Sequence, residues 1–190
     1  MTALPPAVLQ LIAAIQFEGT VCIRASLTVR DFLRRLGYAA DVRSVALQVT
    51  ATVDELHLHT IGIGLNKLWG DPYRGRDWDG HLVVVTPGWL IDPTFYATRR
   101  EAWSWVPSVA LVRRRTLDRS IGIETEHRLL PAVAMAEKMQ ETPQGLYRWR
   151  AIWAATSSNQ KWRHAPEALP QPRRRDIEAM LATYAELVAA

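Results

Sequence analysis

Cys22, His81 and Asp92 are the residues of this chain whose types and spacing point to chemistry. Cys22 is the only cysteine, and it follows Gly19-Thr20-Val21, where a short break gives way to a helix-periodic apolar run. A thiol at a helix start is favoured in its nucleophilic thiolate form by the unsatisfied backbone N–H groups there. Acyl chemistry at such a thiol needs a base to take its proton and return it to the leaving group. It also needs an acceptor that fixes the tautomer of the base. His81, at the head of His81-Leu82-Val83-Val84-Val85, suits the first role, and Asp92, closing Trp89-Leu90-Ile91-Asp92, suits the second. The backbone N–H of Cys22 is one natural donor to an oxyanion, and Gln16, six residues upstream, is a candidate second donor. The competing reading of Cys22 is a small apolar packing residue.

These side chains have to be positioned by their elements. Pro5-Pro6 suits a helix start, and Ala7 to about Ile15 carries apolar residues at helical spacing. A second helix is predicted from about Val21 to Leu36, with Gly37 as its C-terminal cap. On this helix Ala25, Ser26, Val29, Phe32, Leu33 and Leu36 fall within about 80° of Cys22, which therefore points inward, and Arg24, Asp31 and Arg35 lie opposite. His81 to Asp92 reads as a β-hairpin, with Pro87-Gly88 fitting the centre of a type II turn. A four-residue connection sets Val85 against Leu90 and Val83 against Asp92. His81 and Asp92 then share one face as diagonal neighbours, about 7–8 Å apart at the backbone. A charged Asp92 among apolar strand residues needs a partner, and His81 is a sensible one.

Further strands are predicted over Val42–Val49, Val53 to about Ile61 and near Trp105–Val112. Gly62–Asp79, with four glycines, reads as a long loop bordering the Cys22 cleft; Asn66, Trp78 and Gly80 are candidate cleft residues. Helices are predicted over Leu130–Gln140, Gly145–Ala155 and Arg173–Val188. The order of elements is that of an α+β protein, with a helical C-terminal extension over 127–190.

Cys22 opening a helix, then Phe32-Leu33-Arg34-Arg35-Leu36-Gly37-Tyr38, then Gly80-His81-Leu82-Val83-Val84-Val85, then Trp89-Leu90-Ile91-Asp92-Pro93-Thr94, resembles the transglutaminase-like branch of the papain-like cysteine superfamily. It is also similar to arylamine N-acetyltransferases. The resemblance covers about Gln16 to Thr94. It implies a helix packed on an antiparallel sheet, with Cys22 as nucleophile, His81 as base and Asp92 as orienter. The activity it implies is thiol-dependent acyl chemistry through a thioester. Hydrolysis of an amide or peptide bond comes first, with transfer to an amine as the alternative by the same triad. The expected substrates are a peptide, a protein or a small amide or acyl compound.

Composition narrows the rest. At 190 residues and 48% hydrophobic, the chain can bury a good core and is expected to form one domain. A lone cysteine makes no intrachain disulfide, the apolar N-terminus lacks a basic n-region, and no run has the length of a membrane span. The expectation is a soluble cytoplasmic protein. No cofactor motif is present. His57 and His59 share a strand face, but no third metal ligand accompanies them. The net charge of +4 is concentrated in Arg99-Arg100, Arg113-Arg114-Arg115 and Arg173-Arg174-Arg175, and Trp149, Trp153 and Trp162 are interleaved with basic residues. The rival function is thus a non-catalytic basic module that grips nucleic acid or an acidic partner, stacking bases on exposed rings.

Overall fold

A computed structural model describes residues 4–17, 22–64, 80–100, 106–125, 128–156 and 161–189. Among the described residues, three α-helices and eight strands make it a mixed α+β protein: α1 (Pro6–Ala14), α2 (Cys22–Arg35), β1 (Asp41–Val53), β2 (Leu56–Ile63), β3 (His81–Val85), β4 (Trp89–Asp92), β5 (Ala110–Arg113), β6 (Gly122–Glu124), β7 (Leu129–Thr142), β8 (Gly145–Ala155) and α3 (Gln171–Ala189). Strands β5-β4-β3 lie side by side in that order, as do β1-β8-β7-β6, with β2 also paired to β1. The pairings β1–β2, β1–β8, β3–β4, β4–β5, β6–β7 and β7–β8 are antiparallel. No helix among the described residues is long and apolar enough to cross a membrane.

The chain divides into two compact units. One comprises Met1–Arg43, Leu82–Arg114 and Gln160–Ala190; the other comprises Ser44–His81 and Arg115–Asn159. The first unit is built on the three helices and the β3–β4–β5 strands. Pro6 takes the first position of α1, where the missing N–H is no loss, and Val8, Leu11 and Ile12 form its buried stripe. Helix α2 ends as its glycine requires. Gly37 has φ +84°, its N–H donates to Arg34 O at 3.0 Å, and Tyr38 N–H donates to Leu33 O at 2.9 Å, which together form a Schellman cap. Val29, Phe32 and Leu33 of α2 join Val8 and Ile12 of α1, Val84 of β3, Ile91 of β4 and Met180 of α3 in one apolar core.

The face of α2 that carries Arg24 and Asp31 is covered too. Arg24 donates to Asp176 Oδ2 (Nε 3.0 Å, Nη2 2.6 Å), and Asp31 pairs with Arg173. The crossed order of the two pairs sets α2 and α3 antiparallel. Charges that the periodicity left on an outer face are therefore a seam between two helices.

The second unit carries the main correction. Leu130–Gln140 and Gly145–Ala155, predicted as helices of a helical C-terminal extension, form the hairpin β7–β8, and among the described residues there only Gln171–Ala189 is a long helix. Ala, Met, Glu, Lys and Gln favour helix locally, but the propensity differences are a few tenths of a kcal/mol per residue. Long-range pairing overrides them. At the start of β8, Tyr147 and Trp149 are buried while Leu146 and Arg148 are exposed, a period of two, and from Ala151 to Ala154 both faces are covered. Leu47, Val49 and Ala51 of β1 stand opposite Trp153, Ala151 and Trp149.

A turn at Asp54-Glu55, with φ of 45° and 68°, joins β1 to β2. Leu56 to Thr60 are all exposed, and a bulge between Thr52↔His57 and Ala51↔His59 breaks the simple alternation expected of the two histidines.

Candidate active site

The helix start is where the spacing put it, since Cys22 is the first residue of α2. It is half-buried, unlike Ala25, Val29 and Phe32 further along the same helix, which are sealed. One turn on, Ser26 Oγ donates to Leu82 O at 2.6 Å and ties this end of α2 to the start of β3. The neighbour that the sequence reading missed is Tyr96. Its phenol is pushed above the ordinary tyrosine value, first by burial and then by the negative charge of Cys22, so the two groups lie within electrostatic range. Tyr96 belongs to the short 3₁₀ helix Phe95–Thr98 directly after β4 and is held there by Tyr96 N–H to Ser108 O at 3.0 Å. The available signal was Asp92-Pro93-Thr94, a turn starter followed at once by Phe95-Tyr96.

Asp92 is fully buried at the end of β4. Thr94 N–H and Thr94 Oγ1 approach its Oδ1 at 3.2 and 3.5 Å. These donors offset part of the cost of burying a carboxylate. Because Ile91 belongs to the helix core, alternation along β4 turns Asp92 to the other side of the strand.

His81, buried at 2% exposure, opens β3. The β3–β4 ladder has Val84 against Ile91 and Val85 against Leu90, the register on which the shared-face argument for His81 and Asp92 rests. The turn between them is not type II, because Gly88 lies outside the positive-φ region that type II requires. Thr86 explains the difference. Its N–H donates to Trp89 O at 2.9 Å, its hydroxyl takes the Trp89 N–H at 3.1 Å, and its carbonyl accepts Arg114 Nη1 at 3.0 Å.

In the second unit, Gly64 has φ +70°, and a Cβ there would stand 3.2 Å from Gly80 Cα, His81 N and Val45 O. This close approach fixes the backbone from which the His81 ring projects. Gln16 is exposed just beyond α1. Asn66, Trp78 and most of the Gly62–Asp79 loop lie outside the described residues.

The basic clusters are largely occupied locally. Arg99 donates to Val106 O at 2.6 Å and Ser108 Oγ at 3.0 Å, and Arg113 lies 5.0 Å over the Trp89 ring. Arg173 is buried, with Nε and Nη2 on the carbonyls of Leu169 and Ala168 at 3.1 and 3.2 Å. Trp149, Trp153 and Trp162 are buried, so they form no exposed stacking platform. Among the described residues no group of three or more His, Cys, Asp or Glu gathers as metal ligands. No protein-family model, curated protein or solved structure matches the chain.

Proposed function

We propose that this chain is a thiol enzyme that forms an acyl thioester at Cys22 and releases the acyl group to water. The observation that carries the reading is the half-buried Cys22 at the first position of a 14-residue helix, in electrostatic range of the Tyr96 phenol. The Cys22 thiolate attacks the carbonyl carbon of an amide, and the π electrons move to oxygen. Collapse of the tetrahedral adduct breaks the C–N bond as His81 protonates the departing amine. Water, deprotonated by His81, then attacks the thioester and expels the thiolate. Asp92 serves as the orienter of the His81 ring and stabilises its charged form. A tyrosine whose pKa is raised stays protonated, so Tyr96 can donate a hydrogen bond to developing negative charge beside the sulfur. Transfer to an amine uses the same first half-reaction and differs in the acceptor.

The test is alkylation of the folded protein by iodoacetamide at about pH 6, where an ordinary thiol is mostly protonated. Cys22 is expected to react at least about tenfold faster than a cysteine peptide. His81→Ala should remove most of that advantage, and Asp92→Asn should remove less. A Cys22 that reacts only after unfolding, or at a rate indifferent to His81→Ala, would return it to the role of a packing residue.

A further inference from the structure

The first unit contains a cavity of about 640 Å³ whose wall brings together four guanidinium groups, those of Arg30, Arg34, Arg43 and Arg163, with Asp41 as its single carboxylate. The four arginines come from three places in the chain and from none of the three clusters that dominate the sequence. Arg30 and Arg34 lie one turn apart on α2, so both project from one side of it. Arg43 comes from β1, and Arg163 from the 3₁₀ turn Lys161–His164.

Two of the four are held in place. Arg30 is fixed by Asp31 Oδ1 (Nε 2.7 Å, Nη2 2.6 Å), and Arg34 donates through Nε to Ala40 O at 2.7 Å and pairs with Asp41. The other two are open. Among the described residues, neither Arg43 nor Arg163 has a hydrogen bond or a carboxylate partner, and the Arg163 guanidinium rests 5.3 Å over the buried Trp162 ring. Both are exposed.

Asp31 and Asp41 offset the charges of Arg30 and Arg34, but the unmatched Arg43 and Arg163 leave excess positive charge at the concavity, which a bound anion would offset. Guanidinium forks match phosphate oxygens in pairs, and forks already anchored lose less freedom on binding. The volume lies in the range of small-ligand sites. One orthophosphate engages one or two forks; the open forks of Arg43 and Arg163, with the remaining N–H groups of the anchored Arg30 and Arg34, exceed that and call for linked phosphates. With Trp162 buried beneath Arg163, recognition falls on the phosphates and not on a stacked ring.

We infer that this cleft is a binding site for a small molecule bearing a diphosphate group. Free pyrophosphate and the diphosphate of a larger molecule share this chemistry. The site includes no residue of the acyl chemistry proposed above and does not depend on it.

Calorimetric titration of the full chain with pyrophosphate, ADP and orthophosphate, at about 50 and 200 mM salt, tests the inference. Pyrophosphate should bind at least about tenfold more tightly than orthophosphate, and affinity should fall with salt. If ADP matches pyrophosphate, the diphosphate of a larger molecule is accommodated; if ADP is much weaker, free pyrophosphate is the ligand. The double variant Arg43→Ala, Arg163→Ala should weaken binding at least about tenfold. The charge-matched pair Arg119→Ala, Arg175→Ala, at exposed positions elsewhere, should change it less than about twofold. Cys22→Ala should bind as the parent chain does. Absence of pyrophosphate binding, equal weakening by both pairs, or tighter binding of an acidic peptide than of pyrophosphate would overturn the proposal.

Discussion

The electrostatic link between Cys22 and Tyr96 gives the residue scale its sharpest consequence, because it ties a titration to another group. Tyr96 is raised by burial first and by Cys22 second. In Cys22→Ser the second cause disappears and the first remains. The Tyr96 titration, read as the phenolate absorbance difference against Tyr96→Phe, should therefore move partway down toward pH 10. An unchanged titration would mean that the two groups do not meet. The same shift has a sign for stability. A tyrosine with a raised folded pKa contributes stability that is complete below the unfolded value near 10, and loses it as pH rises through the folded value. Denaturant midpoints should fall above about pH 10, and fall less steeply in Tyr96→Phe.

At the scale of elements, two glycines carry conformations that the adjoining structure needs. Gly37 at φ +84° closes α2, and a Cβ there meets nothing within 4 Å, so Gly37→Ala carries backbone strain alone. It should destabilise the protein by about 1 kcal/mol in urea denaturation and leave Cys22 reactivity unchanged. Gly64→Ala differs in kind. The same left-handed strain is joined by a tight approach to the Gly80–His81 backbone. It should cost about 1–2 kcal/mol and also slow Cys22 alkylation, by displacing His81, the residue proposed as the base. Equal alkylation rates in the two glycine variants would show that Gly64 only shapes a turn. The β7–β8 hairpin belongs to this scale as well. The alternation of its Leu146, Tyr147, Arg148 and Trp149 is a short period-two signal, and the helix-favouring residues of β7 oppose it.

At the scale of the molecule, the first unit depends on α3, and α3 depends on Arg173. This arginine is 3% exposed and meets Asp31 and two carbonyls, so its removal leaves three acceptors short of a donor. Asp31 keeps Arg30 and is itself about a quarter exposed, which limits the loss. Arg173→Ala is expected to destabilise by about 2–3 kcal/mol, and Arg173→Lys by less, since the charge stays while the fork is lost. Arg175→Ala, exposed two residues on, should be nearly neutral by the same thermal melt. Similar losses at 173 and 175 would mean that the sequence cluster acts as a charged patch and not through one buried member.

What the sequence determined alone is what neighbouring residues decide among themselves. Pro6 started α1, Gly37 closed α2 by bonds spanning at most five residues, Cys22 fell at a helix start, and the short β3–β4 connection set the register of Val85 against Leu90. Tertiary structure decided whatever needed a distant partner. Leu129–Thr142 became a strand because β8 lay beside it, and Arg173 was drawn inward because Asp31 awaited it. Parity predicted a shared face for His81 and Asp92 but could not say that Ile91 would join the helix core. Tyr96 came within electrostatic range of Cys22, and Arg43 and Arg163 to one cavity, across spans of chain that no local pattern bridges. Local preferences are worth tenths of a kcal/mol per residue, while burial of a single large side chain is worth about 1.5–3 kcal/mol, so wherever the two compete the long-range contact prevails.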